Sequence, residues 1–170
     1  MWNLWIAFSI VSVIVIIDQI TKYYAVLYLV GDAAYTLIPG VLSLRYHENP
    51  GAAWGMLADQ RWVFMLISSL AIVGIIGYLI WNRKEKLPPL FLVSLAMFVG
   101  GGIGNMIDRV VLGYVIDFFR FDFIDFPIFN VADSFITVAA VLMILYMIWE
   151  SIQEWKAKKG PPKITENRNG

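Results

Sequence analysis

Gly113-Tyr-Val-Ile-Asp-Phe-Phe-Arg-Phe-Asp-Phe-Ile-Asp-Phe-Pro-Ile-Phe-Asn-Val-Ala-Asp133 joins two strongly apolar segments and carries four carboxylates, Asp117, Asp122, Asp125 and Asp133. The chain is 59% hydrophobic and 15% charged, with a mean hydropathy of +0.69, which is too apolar for an ordinary soluble domain. These acids therefore meet a bilayer. An ionisable group beside hydrocarbon costs about 3 kcal/mol on insertion scales, so a chain that keeps one there is expected to use it. Asp117 and Asp133, one from each side of the stretch, are expected to meet as a catalytic pair, while Asp122 and Asp125 read as solvated surface charges.

Outward from this stretch lie four apolar segments, at about 4–29, 62–81, 87–109 and 131–149, each long enough to span a bilayer as a helix. The first has no basic start and no small-residue cleavage site, so it reads as a retained helix. Within it Asp18 and Lys22 are four residues apart, on one helical face; mutual neutralisation and substrate handling are both open to them. The third contains Gly100-Gly101-Gly102-Ile-Gly104, a small-residue pattern suited to close helix packing in lipid. It ends in a polar stripe, Asn105, Asp108 and Arg109, where the arginine can reach a carboxylate, reach a loop carbonyl, or snorkel to headgroups. Asp133 opens the fourth, a position where aspartate is ordinarily a cap or a dipole partner. From Glu150 the chain turns charged, and 150–170 is expected to be a loose cytoplasmic tail.

Between the first two spans the composition changes. Val41 to His47 alternates with period two and leads into Asn49-Pro50-Gly51, a strand entering a turn, and such a small sheet belongs at the membrane surface. Gly51 can let backbone donors approach a ligand, although an ordinary turn explains the same residues. His47, the only histidine, is assigned no role. Cysteine is absent, which excludes disulfides, thiolate catalysis, Cys-ligated zinc and palmitoylation of this chain. The net charge of +0 gives no pull toward nucleic acid.

Eight basic residues lie in the second connection and the tail, against four in the other two connections, so both termini are expected on the cytoplasmic side. Asp18, Lys22, the 31–60 region and the 113–133 stretch then share the outer face. Four spans had the freedom to scatter these groups over both surfaces, and their convergence argues for one site.

Five motifs carry a family likeness: Asp-Gln-Ile-Thr-Lys (18–22), Asn-Pro-Gly-Ala-Ala-Trp (49–54), Gly-Gly-Ile-Gly-Asn-Met-Ile-Asp-Arg (101–109), Val-Ile-Asp-Phe (115–118) and Phe-Asn-Val-Ala-Asp (129–133). In this order they resemble bacterial lipoprotein signal peptidase, signal peptidase II, over nearly the whole chain. Trp54 stands where the family often has Phe, and of the three Asp-Phe dipeptides only Asp117 follows Val-Ile. The resemblance implies an aspartic endopeptidase of the inner membrane that cuts prolipoproteins on the amino side of a diacylglyceryl-modified cysteine. It implies that Asp117 and Asp133 are catalytic and that Asp18, Lys22, Asn49, Gly51, Asn105, Arg109, Asn130 and Ala132 shape or support the site. The inhibitor globomycin is expected to occupy it. No metal or cofactor is expected, and membrane lipids are the surroundings of a monomer.

The expected fold is a mainly α membrane protein, one domain over 1–170, with four transmembrane helices and a small β-sheet and short surface helix at the outer face. Two other classes compete with the peptidase. A small proton- or ion-coupled transporter would use the same carboxylates, but the charges cluster at one surface and no inverted repeat is visible. A non-catalytic assembly subunit would suit the Gly-rich third helix.

Overall fold

The computed structural model describes residues 1–31, 34–51 and 61–159, without the side chains of Arg61, Phe64 and Lys159. The Ala52-Ala53-Trp54 part of the second motif lies outside them. The elements run α1 (Trp2–Leu29), β1 (Ala34–Ile38), β2 (Leu42–Asn49), α2 (Arg61–Trp81), α3 (Pro89–Val111), β3 (Val115–Phe121) and α4 (Val131–Lys159). Helices α1, α3 and α4 are long and apolar enough to cross a membrane, and α2 adds a shorter apolar helix, Met65–Trp81. No short surface helix occurs among the described residues.

Helix α3 is the hub, because its glycines leave room on three sides. A Cβ on Gly100 would meet Ile14 of α1, one on Gly101 the Ala132 backbone oxygen of α4, and one on Gly102 Ile72 of α2. The packing expected of this run is what it does. Gly101→Ala would place a methyl 2.6 Å from that carbonyl oxygen and 2.7 Å from Ile136 Cγ1, and the backbone has little room to yield. Detergent-solubilised Gly101→Ala is expected to lose about 1–3 kcal/mol in thermal unfolding, whereas Gly102→Ala, facing the flexible end of Ile72 at 3.1 Å, loses less.

Three apolar clusters stack along the bundle, around Ala7 and Leu95, around Ile14, Met97 and Ala139, and around Ala25, Leu29, Ile116 and Phe118. Large apolar side chains such as Val13, Ile16, Leu70, Val73, Val141 and Ile144 are exposed around the outside, the arrangement of a helix bundle whose solvent is lipid.

The sheet is antiparallel in the order β1-β2-β3. Its middle strand extends two residues past the alternation read in the sequence, to Asn49. The 113–133 stretch, expected as a loop, is a strand in its first third. Val115, Ile116 and Phe118 have strong β preference and are buried, and the pairing with β2 brings His47 opposite Asp117. Gly113 (φ +90) makes the turn from α3 into β3, with its N–H and that of Leu112 donating to the Asp108 carbonyl. The charged segment after Trp149 is helical as far as Lys159, where α4 ends, instead of loose from Glu150 on, and residues 160–170 of the expected tail lie outside the described residues. Residues 150–159 contain neither Gly nor Pro before position 160, and the Tyr146 hydroxyl donates to Glu150 (2.8 Å), four residues on, across the expected boundary.

Candidate active site

Asn130 immediately precedes α4 and caps it. Its Oδ1 accepts from the Asp133 backbone N–H (2.9 Å), and the Asp133 carboxylate in return accepts from the Asn130 backbone N–H through Oδ2 (3.3 Å), a reciprocal box that satisfies two otherwise orphaned donors. With its oxygen committed to the helix, Asn130 turns its amide nitrogen outward to β3, where Nδ2 donates to Asp117 Oδ1 at 2.7 Å. One asparagine thus ties the two aspartates together.

Asp117 is 1% exposed. Its second oxygen accepts from Asn49 Nδ2 (2.9 Å). The turn after β2 explains the orientation of that amide: the Gly51 N–H donates to Asn49 Oδ1 (3.0 Å), which leaves only the NH2 to face Asp117. The Asn49-Pro50-Gly51 segment therefore spends its backbone donor on building the turn. Asp133 Oδ1 accepts from Asn105 Nδ2 at 2.7 Å.

Beneath the pair lies a second polar layer. Lys22 Nζ reaches Asp18 Oδ2 and Asp108 Oδ2, both at 2.8 Å, and Asn105 Oδ1 at 3.0 Å, matching its three N–H donors to three acceptors. Asp18 Oδ1 accepts from the Ala132 N–H (2.9 Å), and Asp108 Oδ2 accepts from the Ile116 N–H (3.1 Å). Each buried acid holds the backbone one residue before a member of the pair. Gly104 has to be glycine here, since a Cβ would lie 2.5 Å from Asp18 Oδ2. Arg109, half-buried at the end of α3, donates to the Gly51 carbonyl (3.5 Å) and the Asn105 carbonyl (3.4 Å), so it takes the loop-carbonyl role.

Every residue singled out from the sequence as catalytic or supporting belongs to this one assembly, with Ala132 entering through its backbone. Two members were not singled out. Asp108 lay in the polar stripe beside Asn105 and Arg109, a signal that pointed to it. Gln19, whose amide reaches Asp18 Oδ2, the Gly104 carbonyl and Asp108 Oδ1, had no signal beyond its place in the first motif. Asp122 and Asp125 are exposed, Asp122 accepting from the Ser43 hydroxyl (2.8 Å).

A cavity of about 570 Å³ opens beside Asp133, which lines it, while Asp117 stands behind Asn49 of its wall. Asn49, Gly51, Arg109 and Asp133 form its polar wall, and Phe121, Phe129 and Val138 are among its apolar lining. Such a mixture suits a ligand that is mostly apolar with a few groups to be fixed in place. Burial, and then the nearby charge of Asp133, push the Asp117 carboxyl up to about 7, against the opposing hydrogen bonds of Asn49 and Asn130 and the charge of Lys22. Two coupled acids, one holding a proton near neutral pH, are equipped for general acid–base chemistry.

The comparisons with known proteins agree with this chemistry. Residues 10–149 match the family model described as Signal peptidase (SPase) II. The chain is 50% identical over 146 residues to the lipoprotein signal peptidase of Lactobacillus johnsonii, covering 85% of this chain and 93% of that protein. It is 40% identical over 142 residues to that of Lactiplantibacillus plantarum, covering 84% and 93%. Two solved structures, each described as a bacterial membrane enzyme, superpose with TM-scores of 0.78 and 0.74 at 31% and 32% identity, over 85% and 83% of this chain and 88% and 91% of theirs. With the match spanning α1 to α4 and all five polar motifs inside it, the chain belongs to the signal peptidase II family.

Proposed function

We propose that this protein removes the signal peptide from prolipoproteins as an intramembrane aspartic endopeptidase, with Asp117 and Asp133 as its catalytic pair. The observation that carries the reading is the pair of aspartates tied through Asn130, Asp117 buried and Asp133 half-buried on the polar wall of a cavity with an apolar lining, in a chain of this family. The family match leaves the ion-coupled transporter and the assembly subunit without support.

In the proposed reaction the ionised member of the pair takes a proton from water as the water oxygen attacks the scissile carbonyl, and the protonated member donates to the carbonyl oxygen. As the tetrahedral intermediate collapses, the first acid protonates the departing amine and a hydroxyl proton returns to the second. Asn49, Asn105 and Asn130 hold the carboxylates, and Arg109 beside the cavity supplies positive charge near the developing oxyanion. In the proposed topology four spans, α2 included, keep both termini on one side, and the basic residues of the second connection and the tail favour the cytoplasm for that side, with the site at the outer face of the inner membrane, where a monomer surrounded by lipid meets its substrate. Cleavage falls on the amino side of the diacylglyceryl cysteine.

Incubation of the purified protein with a diacylglyceryl-modified precursor tests the reading. Release of the signal peptide, blocked by globomycin and absent with unmodified precursor, is expected; equal cutting of the unmodified precursor would overturn the lipid requirement.

The pH dependence has a definite sign. Asp117 is raised from 3.8 to about 7, so the fold retains a proton that the unfolded chain releases. The associated stability is complete at low pH and is lost as pH rises through about 7. Cleavage needs the same proton, so kcat/KM is expected to decline as pH rises past about 7.

A further inference from the structure

We infer that the resting pair is asymmetric: Asp133 is the carboxylate that takes a proton from water, Asp117 is the acid that donates to the scissile carbonyl, and Lys22 sets this division by acting through Asn105. The inference deepens the peptidase reading and rests on it.

Both oxygens of each aspartate face N–H donors, so hydrogen bonding alone does not divide them. Their electrostatic surroundings do. Lys22 is a donor only, and its ammonium 3.0 Å from Asn105 Oδ1 fixes that carbonyl toward α1. The NH2 of Asn105 is thereby forced toward Asp133 and polarised by the cation behind it, giving the 2.7 Å contact to Oδ1. Asp133 also lies in the first turn of a 29-residue helix, where the aligned peptide dipoles favour an anion. Asp117 lies mid-strand, where such dipoles largely cancel. Its partners are the side-chain amides of Asn49 and Asn130, whose carbonyls accept from the backbone N–H groups of Gly51 and Asp133.

The other charged groups around the pair do not reverse this order. Arg109, from α3, interacts with Asp133 foremost, then with Asp117 and Asp108. Asp18 abuts Ala132, and Asp108 abuts Ile116, so these two acids weigh on the two members alike, and both are paired with Lys22. Lys22 and Arg109 act on Asp117 as well, but three sources converge on Asp133: Lys22 of α1 through Asn105, Arg109 of α3 foremost, and the N-terminus of α4.

The first step then reads without ambiguity. A water proton passes to Asp133, the water oxygen bonds to the carbonyl carbon, and the Asp117 proton passes to the carbonyl oxygen. Breakdown returns the Asp133 proton to the amine nitrogen as the C–N bond breaks, and one hydroxyl proton goes back to Asp117.

Infrared difference spectroscopy on protein with isotope-labelled aspartate, slightly below neutral pH, reads the proton directly. The protonated-carboxyl band is expected in the unaltered protein and in Asp133→Asn, and is expected to vanish in Asp117→Asn. A band that survives Asp117→Asn, or disappears in Asp133→Asn, overturns the assignment. The role of Lys22 is read in the double variant Asn105→Ala, Asp117→Asn, which keeps the buried Lys22 ion pairs. Loss of the polarised donor is expected to bring the band back, now on Asp133, and its continued absence overturns the link through Asn105. Retained cleavage in both single aspartate variants would instead defeat the catalytic pair itself, whatever the spectra show.

Discussion

Asp117→Asn, and separately Asp133→Asn, is expected to lower cleavage of a diacylglyceryl-modified precursor by roughly 1,000-fold or more, because each change removes one of the two proton-transfer groups. The fold is expected to survive both. An asparagine at 117 keeps an oxygen to accept from Asn130 and sets its NH2 against the NH2 of Asn49, a mismatch that costs about 1–3 kcal/mol. At 133 one oxygen still accepts from Asn105, and the mismatch falls on the Asn130 backbone N–H, at a cost of about 1–3 kcal/mol. Asp122→Asn and Asp125→Asn are the controls. Both side chains are exposed, and although each precedes a Phe as Asp117 does, their loss is expected to leave the rate within about twofold, as for most surface changes. Precursor processing followed on gels, with circular dichroism of each variant, makes the comparison. Substantial turnover in a folded Asp117→Asn or Asp133→Asn protein would end the assignment.

The extent to which this site was legible in the sequence follows from the kind of signal each residue carries. Asp18 and Lys22 share a helical face by spacing, as do Asn105 and Arg109, and long apolar runs locate the helices, so these could be read. Positive-inside counting grouped them on one face, and their meeting in the fold agrees with that grouping. The β3 strand was hidden because Asp117 and Arg120 interrupt its apolar pattern; Asp117 is tolerated there only because Asn49 and Asn130 satisfy both of its oxygens. The helical stretch 150–159 was hidden by its charge, since charged residues are good helix formers once a preceding span has nucleated the helix. Gln19 is one residue from Asp18, about 100° around the helix, and no periodicity predicts that its side chain bends back to bridge Asp18 and Asp108. What periodicity cannot supply is the orientation of amides. The division of labour between Asn49, Asn105 and Asn130 depends on which end of each side chain faces which neighbour, and that is decided partly by the local turns that hold Asn49 to Gly51 and Asn130 to Asp133 and partly by distant contacts such as Asn130 with Asn105 and Lys22 with Asn105.

Lys22→Met is expected to be the most destabilising single change in the lower layer. Asp18 and Asp108 are 0% and 2% exposed, and both spend an oxygen on Lys22. Removing one partner from a buried ionic group leaves uncompensated charge in a medium that solvates it poorly, typically at a cost of 3–5 kcal/mol, or a fall of about 10 °C in Tm for a chain of this size. The measurement is thermal unfolding in detergent. If the penalty is electrostatic, neutralising the stranded acids should relieve it: in Lys22→Met, Asp18→Asn, Asp108→Asn the side-chain oxygens still accept from Ala132 and Ile116, so most of the stability is expected to return. Activity is not expected to return with it, because the cation that orients Asn105 toward Asp133 is still missing. A triple variant that regained both stability and full turnover would reduce Lys22 to a structural counter-ion, and one that regained neither would show that the shape of the lysine, more than its charge, holds α1 against α3.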